Sequence, residues 1–556
     1  MKPSIALRLF ITTLMLGAFG CSTVVQNESS FVLVDAIIYT ANDSLAIAEA
    51  MAVMDGKIVM IGNEDEVLAA YPSLALKSAG GRAVVPGFTD AHAHFMGLGL
   101  EKLQVDLRGT KDIAEVIDRM KAFEANLPDS AWIIGRGWNQ VLWPSREFPT
   151  RQDLDAAFPT RPVWLSRVDG HAGWANTAAM ELAGMDEIRS ASDPEGGAIL
   201  RFDNGEPTGV FVDTAQRFVS RLAPGLTDKD LDHALELALQ EAAEMGLTGI
   251  HDAGVGSETV DRYKRFIDED RFTVRMYAMV GGTGQLFDQL CNNPILNYGD
   301  KLTVRSVKLV LDGALGSRGA ALIDDYSDHP GNKGLIRTTV EEFNETVQRA
   351  LQCGYQVNTH AIGDRANKML LDGYEMAGAT PEGRHRDEHT QIIDLNEIPR
   401  FLKMGIIASM QPTHATSDLN MAEDRLGAHR VKGGYAWRTL KDAGVPLAFG
   451  SDFPVEKSNP LEGFFASVTR QTKDLLPEGG WYPEERLTRE ETLKAFSADA
   501  AFAAFEEAKM GSLSPGKFAD FIVLSDDIMT IPSPQILSTK VVATIFGGKV
   551  IFGSLD

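Results

Sequence analysis

Hydrophobic and polar residues are arranged in two different patterns along this chain. Through the middle, short apolar runs alternate with longer segments of helical periodicity, which is the pattern of successive βα units. Eight of these runs predict strands, at Ala83–Asp90, Gly249–Asp252, Val274–Val280, Ser306–Leu311, Gln356–His360, Arg384–His389, Ile406–Gln411 and Val445–Ser451. Eight βα units predict an α/β protein with a TIM-like (β/α)8 barrel, whose core typically takes about 250 residues.

The two ends of the chain show the second pattern, in which short apolar runs are separated by Asp-Gly and Gly-Asn turns. This pattern covers residues 31–83, 511–524 and 541–552. Such spacing predicts strands joined by hairpins. We therefore predict a small composite β-sandwich domain built from both ends of the chain, residues 22–85 and 508–556.

The barrel, residues 86–507, is interrupted by one long insertion at about residues 97–247, between the first two predicted strands. We predict that this insertion covers the barrel mouth. Its Gly135-x-Gly137 lacks a third glycine and is not a dinucleotide-binding fingerprint. Three of its tryptophans are predicted to be buried, the alternative being an apolar wall against a substrate: Trp138, Trp143 and Trp174.

Residues 1–21 have the features of a secretory signal. A basic start with Lys2 and Arg8 precedes an apolar run from Leu9 to Phe19, which is too short for a comfortable membrane span. Cys21 resembles the acylation site of a bacterial lipoprotein, whereas cleavage by ordinary signal peptidase would leave a soluble exported protein. We predict export to the bacterial periplasm or outer membrane, with membrane contact only through a lipid anchor at Cys21.

The charge of the chain excludes several classes of partner. The formal net charge is −24, and because Lys2 and Arg8 are the only charged residues before Cys21, the remaining chain carries −26. Such a surface repels phosphate backbones and anionic lipid headgroups. We therefore expect a small-molecule substrate and no nucleic acid, while the sequence does not indicate an oligomeric state.

Two cysteines remain beyond Cys21. An oxidising compartment permits Cys291 and Cys353 to form a disulfide but does not require it. Neither cysteine lies in the sequence context of a catalytic nucleophile. The sequence therefore predicts two buried free thiols.

The strongest chemical signal is the stretch Val84 to His94. His92 and His94 stand two residues apart at the end of a predicted strand, so on an extended backbone both imidazoles point to one side. A bare His-x-His is more often a pair of surface residues. Here the pair follows the Pro86-Gly87 turn and lies beside Asp90, which favours a metal chelate.

Further metal-binding side chains end other predicted strands. Barrel enzymes carry their chemistry at the carboxyl ends of the strands, where all eight strands meet. Six residues at these ends form the predicted metal-ligand set: His92, His94, Lys308, His360, His389 and Asp452. His251 also lies in a predicted strand and is interpreted as a packing residue.

Lys308 and Asp452 allow more than one interpretation. Lys308 lies in an apolar strand, where an unpaired ammonium is costly to bury. It is either paired with an acid such as Asp312 or carboxylated by carbon dioxide to bridge two ions, and we favour the bridge. Asp452 follows Gly450-Ser451, which allow close approach to a metal, and its carboxylate can both ligate the ion and carry a proton.

Together these motifs resemble the amidohydrolase superfamily, in the branch of N-substituted formamide deformylase. The resemblance runs from about residue 31 to the C-terminus. It rests on five separated motifs: Pro86-Gly-Phe-x-Asp-x-His-x-His94, Lys308 with Asp312-Gly, His360-Ala-Ile-Gly-Asp364, Arg386-x-Glu-His389 and Gly450-Ser-Asp452. Three further segments add to it: Gly135–Trp138, Asp169–His171 and residues 511–520. The one departure is Asp387, which stands where an apolar residue is common.

The resemblance implies a divalent-metal hydrolase, most commonly with zinc and with one or two ions. His92, His94 and Asp452 would hold one ion, and His360 and His389 the other. Metal-bound hydroxide would attack a carbonyl, with the pKa of the water lowered to about 7 and Asp452 carrying the proton to the leaving nitrogen.

The insertion contains one further candidate catalytic residue, His171. By resemblance it reaches the barrel mouth and polarises the substrate carbonyl as a second catalytic residue. A purely structural histidine that pins the insertion by a hydrogen bond is the equal alternative.

The predicted function is hydrolysis of a non-peptide C–N bond in an amide, an N-formyl compound or a cyclic amide. A deaminase or decarbamoylase would use the same ligands and differ only in its substrate pocket. A surface binding protein that kept the barrel without catalysis is disfavoured, because binding does not need Lys308 and Asp452 together.

Overall fold

The structure is a computed structural model that describes residues 29–555, except residues 126, 129, 130 and 169. The predicted signal segment and Cys21 therefore lie outside the described residues, as does Asp169 of the Asp-Gly-His motif.

Eight parallel strands form the predicted barrel. They follow one another in chain order around the sheet, and every neighbouring pair is parallel. They are β1 Phe88–Ala93, β2 Leu247–Val255, β3 Arg275–Gly281, β4 Leu302–Val310, β5 Gln356–Ala361, β6 Arg386–His389, β7 Ile407–Met410 and β8 Leu447–Phe449. The α/β barrel prediction is confirmed.

The barrel closes where β8 meets β1. The backbone amide of Asp452 donates to the carbonyl of His92 over 2.7 Å, and the amide of His94 donates to the carbonyl of Phe453 over 2.8 Å. Gly450 is required here, because a Cβ at this position would lie 2.5 Å from Oδ1 of Asp90. Closure therefore places the ends of the first and last strands in direct contact.

The first predicted strand, Ala83–Asp90, is divided between two sheets. Residues up to Pro86 belong to the long strand Ala75–Pro86 of the terminal domain, and β1 begins at Phe88. Gly87 lies between them, and a Cβ there would come within 2.2 Å of the Thr248 side chain. The chain thus passes from one domain to the barrel at a single residue.

Strands from both chain ends share one eight-stranded sheet, as predicted. The sheet contains Phe31–Tyr39, Ile47–Ala48, Ala50–Met54, Lys57–Gly62, Ala75–Pro86, Phe521–Leu524, Val541–Phe546 and Lys549–Gly553. The sheet folds back on itself, since Ile58 near one edge exchanges backbone hydrogen bonds with Gly516 and Lys517. An apolar cluster that includes Phe31 and Phe521 fills the space between its two halves.

The insertion carries a six-stranded sheet of its own. Its strands are Val105–Asp106, Ile133–Trp138, Val163–Arg167, Ala172–Ala175, Gly197–Arg201 and Pro207–Asp213. The three tryptophans singled out above pack against one another inside it, with exposures of 0–2% and ring centroids 6.1–6.4 Å apart. They are packing residues, as predicted, and not a wall at the barrel mouth.

Helices cover the barrel and connect its strands. The described α-helices are Glu64–Ala70, Phe95–Lys102, Ile113–Glu124, Arg151–Asp155, Thr177–Ala183, Met185–Ser190, Arg217–Ser220, Asp228–Glu244, Ser257–Asp268, Gln285–Leu290, Val340–Gln352, Asp364–Met376, Ile398–Met404, Pro412–Asp418, Ala422–Arg430, Trp437–Ala443, Pro460–Thr469, Arg489–Ala495 and Ala498–Ala503. No helix within the described part of the chain is both long and apolar enough to cross a bilayer.

The prediction of two buried free thiols is wrong. Cys291 and Cys353 form a disulfide with their Cα atoms 5.1 Å apart, and both residues are only half-buried. Their separation of 62 residues along the sequence hid this proximity. The barrel provides it, because Cys291 follows the helix after β3 and Cys353 ends the helix after β4.

Removing this disulfide should destabilise the protein without changing its fold. We expect the variant Cys291→Ser/Cys353→Ser to lose about 2–4 kcal/mol of unfolding free energy, because the crosslink restricts the unfolded chain. Urea denaturation of both proteins measures the difference. Equal stability, or two alkylatable thiols at these positions in the native protein under non-reducing conditions, would contradict the prediction.

Candidate metal centre

Three predicted ligands converge at the carboxyl end of the barrel. His92, His389 and Asp452 are all buried, and one ligand atom from each lies within 4.8 Å of the others. They come from the ends of β1 and β6 and from the segment after β8. The structure thus groups His92 and Asp452 from the first predicted ion site with His389 from the second.

Glu388 orients the ring of His92. The Nδ1 atom of His92 lies 2.5 Å from Oε2 of Glu388, and both side chains are almost completely buried. A carboxylate accepts a proton and does not donate one, so this contact places the proton on Nδ1 and leaves the lone pair on Nε2. Nε2 then faces Oδ1 of Asp452 at 3.7 Å. Burial lowers the pKa of His92 to about 4, so the ring stays neutral, as a ligand must be.

Gln411 contacts the ring of His389 in the same way as Glu388 contacts the ring of His92. Its Oε1 atom lies 2.8 Å from Nδ1 of His389, which leaves Nε2 available for a cation. Burial lowers the pKa of His389 well below its usual value. The backbone of His389 has a φ of +85°, a conformation that costs a non-glycine residue about 1–3 kcal/mol and is concentrated at functional sites.

His360 extends the cluster beyond His389. The two rings are 4.4 Å apart between centroids, and Nε2 of His360 lies 3.4 Å from Oδ1 of Asp312. Asp312 in turn accepts hydrogen bonds from the backbone amides of Ala321, Ile362 and Gly363. The loop after β4 and the end of β5 are therefore held together around this histidine.

Asp452 is held between two histidines. Its Oδ1 atom is 3.2 Å from Nε2 of His94, and its Oδ2 atom is 3.8 Å from Nε2 of His414. Burial opposes ionisation, but the bond from His94 and the neighbouring imidazoles hold the pKa of Asp452 at about 2. The residue also has a φ of +61°, so a second member of the cluster occupies a strained backbone conformation.

Lys308 lies against His92 and not against Asp312. Its Nζ is 3.1 Å from Nε2 of His92, and no described carboxylate lies within ion-pair distance of it. Burial lowers the pKa of Lys308 to about 8. A buried amine that faces a metal-binding histidine is poorly explained by the salt bridge considered from the sequence.

Sequence reasoning missed several residues of the site. Glu388 and Gln411 orient ligands, and His414 stacks on His389 with centroids 5.9 Å apart. His414 follows the end of β7, so the rule that strand ends carry the chemistry could have found it. Arg386 was seen only as part of a motif, yet its Nε lies 2.9 Å from Oε1 of Glu388, with both side chains fully buried.

His251 is buried, as the packing interpretation requires. Its Nδ1 atom lies 3.0 Å from Nη1 of Arg386 inside the barrel. His251 therefore contacts Arg386, which in turn contacts Glu388.

The structure places His171 on the insertion, apart from the cluster. Its side chain is 74% exposed, and its Nδ1 atom lies 2.7 Å from Oδ1 of Asp213. No hydrogen bond, ion pair or ring contact joins His171 to the six predicted ligands, all of which are described. Asp213 has φ +48° and ψ −120°, an unusual conformation for a non-glycine residue.

The residues fit a divalent cation. Nε2 of His360 and Nε2 of His414 are buried and make no hydrogen bond within the described residues, since the carboxylate oxygens of Asp312 and Asp452 near them, at 3.4 and 3.8 Å, do not meet hydrogen-bond geometry. Buried imidazole nitrogens without partners are costly unless something binds them. Imidazoles together with one carboxylate form the donor set that suits zinc and related transition metals.

Comparison with known proteins identifies relatives over nearly the whole chain. A model of the amidohydrolase family matches residues 77–552. Protein LONG AFTER FAR-RED 3 of Arabidopsis thaliana is 34% identical over 93% of this chain and 90% of its own, and putative amidohydrolase YtcJ of Bacillus subtilis is 32% identical over 93% and 98%. N-substituted formamide deformylase of Arthrobacter pascens is 27% identical over 93% of this chain and 97% of its own.

Solved structures extend the likeness to the fold. An uncharacterized metal-dependent hydrolase from Pyrococcus furiosus superposes with a TM-score of 0.73 at 27% identity, covering 90% of this chain and all of that one. The match of 77–552 spans the barrel, the insertion and four of the eight strands of the terminal sheet. This chain therefore belongs to the amidohydrolase family and is, by family, a metal-dependent hydrolase.

Proposed function

We propose that this protein hydrolyses a non-peptide C–N bond in a small amide, N-formyl or cyclic amide substrate. The observation that supports this most strongly is the convergence of His92, His389 and Asp452, together with the partners that hold the Nδ1 atom of each histidine. The named deformylase among the relatives acts on an N-substituted formamide, which supports the choice of bond.

The proposed cofactor is a divalent metal, with zinc as the first choice. A bound divalent cation supplies Lewis acidity and lowers the pKa of water to about 7. His92, His94, His360, His389 and Asp452 would hold it, either as one ion or as two with Lys308 between them.

Asp452 is the proposed proton carrier. Its carboxylate is ionised and lies between His94 and His414, at the one point where the ends of the first and last strands meet. An ionised carboxylate can accept a proton from water and pass it to a leaving nitrogen. This role does not depend on the number of ions.

His171 is proposed to polarise the substrate carbonyl from the insertion. The contact with Asp213 holds its Nδ1 atom, and the strained backbone of Asp213 favours a functional over a purely structural role. In this role His171 would approach the cluster when the insertion and substrate come together.

The proposal also includes export. The signal-like residues 1–21 and the Cys291–Cys353 disulfide both suit an oxidising compartment such as the bacterial periplasm. Cys21 would then carry the lipid anchor.

Product analysis tests the proposed reaction. The purified, zinc-loaded protein is incubated with N-formyl, N-acyl and cyclic amides, and formate, carboxylate and ammonia are quantified. Formate or a new carboxylate together with an amine supports C–N hydrolysis. Release of ammonia from a ring or a carbamoyl group supports the deaminase or decarbamoylase alternative instead.

Lys308 is expected to bridge two ions in its carboxylated form. Both Lys308→Met and Lys308→Arg should then bind one zinc per chain where the native protein binds two, with turnover lower by at least about 10–100-fold, the cost of losing even an outer partner of a metal site. Arginine keeps the charge but cannot be carboxylated. Native turnover in Lys308→Arg would show that only a cation is needed here.

A further inference from the structure

A cavity of about 430 Å³ lies between the barrel rim and the insertion. Its walls come from the helix Phe95–Lys102, from the insertion strands Val105–Asp106 and Ile133–Trp138, and from the loop residues Pro454 and Val455. This volume is within the range of small-molecule binding sites.

The cavity adjoins the candidate metal centre. Gly97 lines it, and a Cβ at Gly97 would lie 3.5 Å from the Cβ of His94 and 3.2 Å from the Cδ of Pro454. Val455 also lines it, and its backbone amide donates to the carbonyl of Asp452 over 2.9 Å. The His94 side chain is 44% exposed, so the metal centre is open on this side.

One guanidinium in this cavity makes no side-chain contact with an acceptor among the described residues. Arg136 lines the wall, and no described acceptor takes a hydrogen bond or ion pair from its side chain. Asp106 is its neighbour across the parallel strand pair. However, both carboxylate oxygens of Asp106 accept from Arg108, each over 2.9 Å, and Glu101 is also paired with Arg108.

The acids of the cavity are therefore already committed to Arg108, which leaves the positive charge of Arg136 available. The rest of the lining is largely apolar, with side chains that include Leu100, Val105, Val168 and Val455. An arginine offers a planar pair of donors that matches a carboxylate, and the exposed side chain of Arg136 is accessible to such a ligand. On a chain with a net charge of −24, an anionic ligand needs such a local cation.

We propose that Arg136 binds a carboxylate of the substrate, so that the preferred amides carry both a carboxylate and an apolar group. This inference rests on the proposed hydrolase function and adds the substrate class. The apolar group lies along the aliphatic wall, the carboxylate pairs with Arg136, and the amide is directed towards the side of the metal centre that His94 leaves open.

Matched substrates test this specificity. N-formyl-leucine and N-formyl-leucinamide differ in the charge of one group, and the native protein should show a kcat/KM at least about 10-fold higher for the carboxylate, as expected for one charge-assisted hydrogen bond. Arg136→Met should remove this preference, so that kcat/KM for N-formyl-leucine falls to about the value for N-formyl-leucinamide. Arg217→Met is the matched control, because Arg217 is an exposed arginine of the same insertion that does not line the cavity.

Binding without turnover gives an independent readout. Calorimetry with 4-methylpentanoate and 4-methylpentanamide should show tighter binding of the carboxylate to the native protein and to Arg217→Met, and an affinity lower by about 10-fold in Arg136→Met. A carboxylate that binds the metal directly would bind Arg136→Met equally well, which would overturn the proposal. If the proposed hydrolase function were wrong, neither the native protein nor any variant would hydrolyse either amide. The native protein would still bind the carboxylate more tightly than Arg136→Met does, so the two failures are distinguishable.

Discussion

Replacing Asp452 with asparagine is expected to lower kcat by about 10²–10⁴-fold, the usual contribution of a positioned proton carrier. The amide has nearly the same shape as the carboxylate but cannot accept the proton that must reach the leaving nitrogen. Folding should be preserved, because the backbone bonds between Asp452 and His92 that close the barrel do not involve the side chain. Steady-state kinetics with the best amide from the substrate screen measure the effect, together with metal content and the unfolding midpoint.

Asp520 provides the matched control. It is also a buried aspartate, with 6% exposure against 7% for Asp452, but it pairs with Arg275 away from the metal centre. Asp520→Asn should lower stability and leave kcat near the native value. Native turnover in Asp452→Asn would remove Asp452 from the mechanism.

Replacing Arg386 with methionine is expected to lower the unfolding free energy by about 3–5 kcal/mol, because it leaves a buried carboxylate without its cation. Arg386 and Glu388 are both fully buried with Nε and Oε1 2.9 Å apart, and Nη2 of Arg386 also donates to Ser409 and to the carbonyl of Ala91. Burial opposes ionisation of Glu388, but this arginine, together with His92 and Lys308, holds the pKa of Glu388 below its usual range. Urea denaturation measures the loss.

Two further variants separate the burial effect from the loss of an arginine. Arg349→Met removes an exposed arginine paired with Asp288 and should cost no more than about 1 kcal/mol. Arg386→Met/Glu388→Gln removes both buried charges and should be more stable than Arg386→Met alone. A double variant that is less stable than Arg386→Met would contradict the assignment of the cost to an unpaired carboxylate.

Much of the barrel can be predicted from the sequence, because its strands are buried on both faces and appear as short apolar runs at regular intervals. All eight runs overlap barrel strands, with bounds that differ by up to four residues in the last seven, and the first run is divided between two strands. Val84 and Val85 are as apolar as the residues of β1, so hydrophobicity alone could not show that the strand Ala75–Pro86 ends before Gly87. That boundary depends on the approach of Thr248 to Gly87, a contact between distant parts of the chain.

The convergence of the candidate ligands His92, His389 and Asp452 could be predicted for a related reason. Parallel strands in a barrel end at one rim, so histidines that close separate strands must come close together. Their orienting partners were harder to find, because Glu388 and Gln411 act through single contacts that no spacing rule encodes. The Cys291–Cys353 disulfide escaped prediction for the same reason, since it links helices that follow different strands.

The charge distribution shows a further limit of sequence reasoning. Net charge could not show that Arg108 binds two carboxylates while no described acceptor takes a hydrogen bond or ion pair from the Arg136 side chain. That arrangement results from the register that places Asp106 opposite Arg136 in the insertion sheet. Substrate preference is therefore encoded in pairings that only the folded structure shows.

A zinc titration of the metal-free protein tests the central claim most directly. Chelation should reduce amide hydrolysis to background, and zinc added back should restore it in proportion to the metal bound, saturating at one or two ions per chain. The variant His92→Ala/His389→Ala should neither bind zinc tightly nor recover activity. Full turnover by the metal-free native protein, or zinc binding at the native stoichiometry without any recovery of turnover, would contradict hydrolysis at this centre.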